Sequence, residues 1–200
     1  MLKSRLCIAF FAFAVGCAPA QKPLTDYVNP MLGTATLWDS VDLGFKPTKR
    51  TWGAEVFPGS SLPNAMVQVS PVTKFHSGAG YQYEDSVIYG FTHTNKGHWN
   101  LCHIPLLPVT GTPTPGDYCS PFSHERESAA PGYYQVFLDR YGVDAQLSST
   151  LRCAFHKYTY PAGAAASLLA DLQRSNEHVR AWDIRKEGDN AVSYTHLRAH

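Results

Sequence analysis

No run of lysine and arginine extends beyond the neighbourhood of Lys46, Lys49 and Arg50, and the 200 residues carry a formal net charge of +1. That excludes the basic footprint of a nucleic-acid-binding protein and a polybasic membrane surface. The expected partner is a neutral one. No segment carries an apolar stripe of helical period over three turns; residues 162–172 come nearest, and a strand suits their neighbours better. A helical bundle is therefore excluded. Cysteine is scarce as well. Of the five cysteines, Cys7 and Cys17 fall in the leader, which leaves Cys102, Cys119 and Cys153. An odd count is not a complete disulfide framework. One bridge with a free thiol and three buried thiols both stay open, and the second is preferred.

Residues 1–20 have a short cationic start (Lys3, Arg5), an apolar run from Leu6 to Val15 and then small residues. This is the pattern of a secretory signal rather than of a membrane span, for which the run is too short. Two cleavage sites compete. Ala14-Val15-Gly16-Cys17 resembles a bacterial lipobox that would lipidate Cys17, and Ala18-Pro19-Ala20 fits ordinary A-x-A cleavage. The order of apolar run, Gly and Cys favours the lipobox. The expected location is across the bacterial inner membrane, as a periplasmic protein or an outer-membrane lipoprotein. Contact with a membrane is expected only through that N-terminal lipid.

The rest of the chain reads as short β-compatible runs separated by Gly and Pro turns. Residues 53–71 alternate such runs with Pro58-Gly59 and Pro63-Asn64; residues 132–139, 143–151 and 153–160 repeat strand, turn, strand, with Arg140-Tyr141-Gly142 as one turn; Leu168 to Leu172 is a further apolar run. Many short strands at near-regular spacing predict an all-β, many-stranded antiparallel sandwich over residues 25–190. The last residues, 191–200, continue no pattern and read as foreign to the natural protein, a sequencing or gene-model artefact.

The chain is organised around GAGYQYEDSVIYGFTHTNKGHWNLCHIPLLPVTG, residues 78–111. Tyr81, Tyr83, Val87, Tyr89 and Phe91 fall at spacing two, broken around Glu84-Asp85-Ser86, as strands meeting at a bend would. On the leaving side Ile104-Pro105-Leu106-Leu107-Pro108-Val109 reads as a short strand near an edge, where proline costs no ladder bond. Between them lies a loop dense in His, Asn and Trp, and loops on a rigid sheet are where recognition usually sits. The competing reading is that its aromatics only cap a core. His98, Cys102 and His103 invite a zinc reading, which lacks a second Cys/His pair at structural spacing.

Four motifs in order, YVNPMLGT, WGAEVFPGSSLPNAMVQVSPVT, GYQYEDSVIYGFTHTNKGH and SPFSHERESAAPGYYQVFLDRYGVDAQLSSTLRCAFHKYTYP, resemble the N-terminal domain of glycoside hydrolase family 92, the calcium-dependent exo-α-mannosidases. The resemblance covers roughly residues 27–172. It implies a supersandwich-like antiparallel β-sandwich, followed in full-length members by an (α/α)6 barrel, and a mannose-containing glycan as substrate. It also implies Ca2+ and a catalytic carboxylate pair, both carried mainly by that barrel. No catalytic residue and no metal ligand is assigned here. Glu55, Glu84, Asp85, Glu125 and Glu127 sit in or beside turns and read as solvated surface.

What the resemblance leaves to this domain is the wall of a sugar pocket. Gly33 and Thr34, and Phe57 and Gly59, lie in turns where a backbone without Cβ can approach a ligand; plain turn chemistry is the alternative. In the central loop His93 and Thr94 match the family's usual HTHLSGTGCSDYGD, whereas Asn95, Lys96, His98, Trp99 and Asn100 depart from it, and Phe75 stands where many members carry Trp. The expected sugar contacts are therefore Gly33, Thr34, Phe57, Gly59, His93, Asn95, His98 and Trp99, the indole stacking on a pyranose face and the polar groups meeting hydroxyls. The reading of a different class is a stand-alone carbohydrate-binding or structural sandwich without catalysis.

Overall fold

The computed structural model describes residues 22–36, 55–96, 99–114 and 116–198. The leader, Cys17 and His98 lie outside them. A 3-10 turn, Leu24–Tyr27, precedes the strands β1 (Ser60–Ser61), β2 (Gln68–Val72), β3 (Val87–Ile88), β4 (Gly90–Thr92), β5 (Asn95–Lys96), β6 (Trp99–Asn100) and β7 (Leu106–Thr110). After them come β8 (Ser120–Pro121), a second 3-10 turn (His124–Arg126), β9 (Glu127–Ala130), β10 (Tyr133–Leu138), β11 (Val143–Ser149), β12 (Ala154–Thr159), β13 (Ala166–Ala170), β14 (Val179–Lys186) and β15 (Val192–Arg198). Every pairing among the described residues is antiparallel, as the sequence predicts.

Two sheets make the sandwich. One runs β1-β2-β4-β7-β13 and the other β12-β11-β10-β9, and β11 packs across β1, β2 and β7. The alternation in β10 and β11 sends Tyr134, Val136 and Leu138, then Val143, Ala145 and Leu147, into the core against Val69, Phe91, Leu107 and Val109 of the facing sheet. Each such aliphatic side chain contributes on the order of 1.5–3 kcal/mol by leaving water. The turn expected at residues 140–142 closes this hairpin, with Gly142 at φ +64°.

Three expectations are corrected. The strand after the central loop, β7, is interior rather than at an edge, between β4 and β13; Pro108 is tolerated because the ladder with β4 is confined to Phe91 and Leu106. Glu127 is no solvated carboxylate, since its side chain is 1% exposed. It accepts the phenol O–H of Tyr81 (2.9 Å) and of Tyr134 (2.6 Å) and faces Nδ1 of His124 at 2.6 Å, because the first residue of β9 turns its side chain under the sandwich. Among the described residues the three thiols are free, and one of them, Cys102, is buried; Cys119 is half-buried and Cys153 exposed.

The tail expected to continue no pattern forms β15, paired with β14 from Val179↔Arg198 to Lys186↔Val192. β14 is exposed along nearly all its length. Among the described residues no helix is long and apolar enough to cross a membrane.

Candidate functional site

Three loops of the first sheet meet through hydrogen bonds. They are residues 74–80 after β2, residues 93–103 around the small β5–β6 hairpin, and residues 171–177 after β13. Asn100, fully buried, ties the first two together. Its backbone N–H donates to Gly78 O (2.8 Å) and its Nδ2 to Ala79 O (3.3 Å), while its Oδ1 accepts from Thr92 Oγ1 (3.2 Å) and Cys102 N (2.8 Å). Gly80 is needed twice at this contact. Its φ is +74°, and a Cβ there would lie 2.6 Å from Asn100 Nδ2.

The third loop clamps the other two through Asn176. Its Nδ2 donates to Asn100 O (2.7 Å), its backbone N–H to Leu101 O (3.1 Å), and its Oδ1 accepts His76 N (2.6 Å); Ser175 Oγ adds a bond to Leu101 O (3.1 Å). Asn176 was not singled out by its sequence context, because nothing local shows that residues 76 and 176 meet. Of the four described non-glycine residues at positive φ, two lie in these loops, His76 (+59°) and Cys102 (+50°), and a third, Ile104 (+47°), directly follows the second loop. A β-branched residue in that region is a real outlier, and such backbone strain concentrates where a binding surface is being shaped.

The residues expected to touch a ligand divide into three groups. Trp99 lies on this loop cluster and is 39% exposed, outside the core; Asn95 pairs with Asn100 across the β5–β6 hairpin; His98 is outside the described residues. Gly33 and Thr34 form a turn against Val56, with Gly33 at φ +83° and an added Cβ 3.1 Å from Val56 Cγ2. Thr34 is buried, donates Oγ1–H to Met31 O (2.8 Å) and accepts Tyr83 N (2.9 Å). Phe57 is half-buried. Gly59 owes its identity to packing, since a Cβ would stand 2.0 Å from Val69 O. His93, two residues after Phe91, shares that residue's inward face and meets His156 of β12, Nε2 to Nε2, at 2.7 Å.

Burial decides the chemistry open to these groups. The Cys102 thiol is pushed up to about 12, which leaves it protonated and unsuited to nucleophilic attack. Burial also holds the His93 imidazole below its ordinary range. Glu84 accepts the N–H of Thr36 (2.8 Å) and Asp85 the hydroxyl of Thr73 (2.8 Å). These carboxylates brace turns. The described residues gather no set of three or more His, Cys, Asp or Glu that could hold a metal ion. The calcium implied by the resemblance finds no matching donor set among them. What the arrangement can do is present a rigid, partly aromatic, hydrogen-bonding rim.

The chain matches the model of the glycosyl hydrolase family 92 N-terminal domain over residues 27–197. Its fold is similar to that of a family GH92 α-mannosidase from Bacteroides thetaiotaomicron solved with mannoimidazole, at TM-score 0.75 and 29% identity over 88% of this chain. It is also similar to a GH92 family glycosyl hydrolase designated ccman5 (TM-score 0.58, 30% identity, 71% of this chain and 22% of that one). A third likeness is to the GH92 inverting mannosidase from B. thetaiotaomicron VPI-5482 (TM-score 0.59, 26% identity, 76% of this chain and 20% of that one). The chain spans 23% of the first of these proteins. A search of curated proteins finds no match.

Proposed function

Because the chain belongs to glycosyl hydrolase family 92, through its N-terminal domain, we propose that it is the opening sandwich of a secreted enzyme removing α-linked mannose from glycans with inversion. The observation that carries this reading is the family match over residues 27–197. Two of the GH92 structures to which the chain is similar are described as mannosidases, one of them as inverting and the other holding mannoimidazole.

In this reading the domain supplies one wall of the sugar pocket, and chemistry comes from elsewhere. Inversion needs a carboxylic acid to protonate the leaving oxygen and a carboxylate to activate water, roughly 6.5–9.5 Å apart. Glu127, Glu84 and Asp85 are committed to hydrogen bonds within the fold. In this reading the acid, the base and the calcium donors are supplied by the barrel domain that the family resemblance implies. The loop cluster holding Trp99, braced by Asn100 and Asn176, is the surface this domain turns to the substrate, and the leader directs the protein across the inner membrane.

The test is to express the complete gene product and follow the hydrolysis of an α-linked mannobiose by proton NMR. Release of β-mannose first, before mutarotation, is the expected result. Release of α-mannose first would overturn inversion, and no release with calcium present would overturn the mannosidase reading.

A further inference from the structure

Three large apolar side chains near the start of the described chain belong to none of the loops around Trp99. Leu24, Tyr27 and Leu32 are 79%, 70% and 71% exposed. Two consecutive turns carry them, closed by Val28 N–H to Thr25 O (3.1 Å), Leu32 N–H to Asn29 O (3.2 Å) and Thr34 N–H to Met31 O (3.2 Å). On a 3-10 turn side chains three apart stand one above the other, so Leu24 and Tyr27 share a face. Thr25 and Val28 share another, which with Asp26 lines a cavity of about 390 Å3 against Ala129, Ala130 and Pro131 at the end of β9. The turn thus sets one side towards β9 and an apolar side away from it.

Lys22 adds a charge to this apolar side, its Nζ 4.9 Å from the centre of the Tyr27 ring. Aliphatic residues beside a Tyr and a Lys match the layers of a lipid–water boundary. The aliphatic side chains enter the acyl region, the phenol lies at headgroup level and the ammonium meets phosphate. Leu24 follows Cys17 by seven residues, which an extended chain spans in at most about 25 Å. A lipid on Cys17 keeps the face within that reach of the bilayer, so that even a weak contact is made repeatedly as an intramolecular one.

We propose that Leu24, Tyr27 and Leu32 form a docking face for the surface of the lipid bilayer that holds Cys17, and that this contact fixes how the domain stands on the membrane. Three side chains are too few for a stable interface with a separate protein, which takes roughly 800 Å2 from each partner. A tethered bilayer contact needs no such area, because the lipid supplies the attachment and the face supplies only orientation. The inference rests on the lipobox reading of the leader for its tether and not on mannose release.

Hydrogen exchange read by mass spectrometry tests it on the complete gene product, with a hexahistidine tag in place of residues 1–20. The vesicles are of phosphatidylethanolamine and phosphatidylglycerol, with or without a nickel-chelating lipid to hold the tag. Amides of residues 24–34 should exchange at least about tenfold more slowly on the chelating vesicles, while those around Gly163, an open turn, stay unchanged. The double variant Leu24→Ser, Tyr27→Ser should abolish the slowing; both side chains are exposed, and unchanged exchange in β10 and β11 will show that the fold is kept. Equal exchange on the two kinds of vesicle overturns the proposal, as does slowing that survives the double variant. Slow exchange of residues 24–34 without vesicles also overturns it, by showing that the rest of the enzyme covers the face. The mass of the exported protein's N-terminal peptide decides the tether separately: a mature chain starting at Gln21 without lipid overturns the tethered contact and leaves the mannosidase reading untouched.

Discussion

Nε2 of His93 lies 2.7 Å from Nε2 of His156 inside the sandwich, and Nδ1 of His156 lies 2.6 Å from the Tyr158 hydroxyl. The two imidazoles can share one proton but cannot both be charged at that separation. Burial and the neighbouring His93 lower His156 from 6.5 to about 4, and burial lowers His93 in the same direction. The folded state thus binds fewer protons than the unfolded one. Stability from this pair is full above pH 6.5 and is lost as pH falls from there towards 4.

The expected loss from His156 alone is on the order of 2–3 kcal/mol. Urea midpoints measured at pH 7, 6, 5 and 4 should fall more steeply for the natural chain than for His156→Gln, which has no ring to protonate. Parallel slopes for the two proteins would remove this account.

Glu127 is the acceptor for Tyr81 and Tyr134 and faces His124 with its side chain out of water. Replacing it by Ala strands those buried donors, a loss of about 3–5 kcal/mol. Calorimetry should show Glu127→Ala melting far below the natural chain and Glu127→Gln, which keeps one acceptor oxygen, melting between them. A Glu127→Ala protein as stable as the natural one would contradict the network.

Gly80 and Gly163 both have φ near +75°, but a Cβ meets Asn100 at the first and open space at the second. Gly163→Ala should cost roughly 1–2 kcal/mol, the left-handed backbone term alone. Gly80→Ala adds overpacking of a further 1–3 kcal/mol, and it should shift the amide signals of Asn100 and Asn176. Equal losses in the two variants would show that the Asn100 contact does not restrict position 80.

Trp99 stands out of the core, so Trp99→Ala should leave the melting temperature nearly unchanged. In the complete enzyme it should lower kcat/KM by about 1–3 kcal/mol in transition-state terms, the loss of a stacking contact. A stability loss of the 3–5 kcal/mol typical of buried Trp, with activity intact, would place the ring in a structural role.

Local pattern was enough for the hairpin of β10 and β11, though not for β14 and β15. The period-two runs at residues 133–138 and 143–149 and the turn at Arg140-Tyr141-Gly142 need only the alternation of side chains about a pleated chain, and the structure pairs them from Tyr133↔Ser148 to Leu138↔Val143. The family, too, was legible in the ordered motifs, and the match over residues 27–197 agrees. Tertiary packing decided the rest, because contacts between distant residues leave no local trace. Glu127 looks like any carboxylate beside a turn until Tyr81, 46 residues away, donates to it. His93 looks like a loop ligand until β12 brings His156 against it. Asn176 and Arg174 carry no motif, yet they lock residues 76 and 100 and bridge Phe75 to Tyr118, since the chain after β13 folds against loops far from it in sequence.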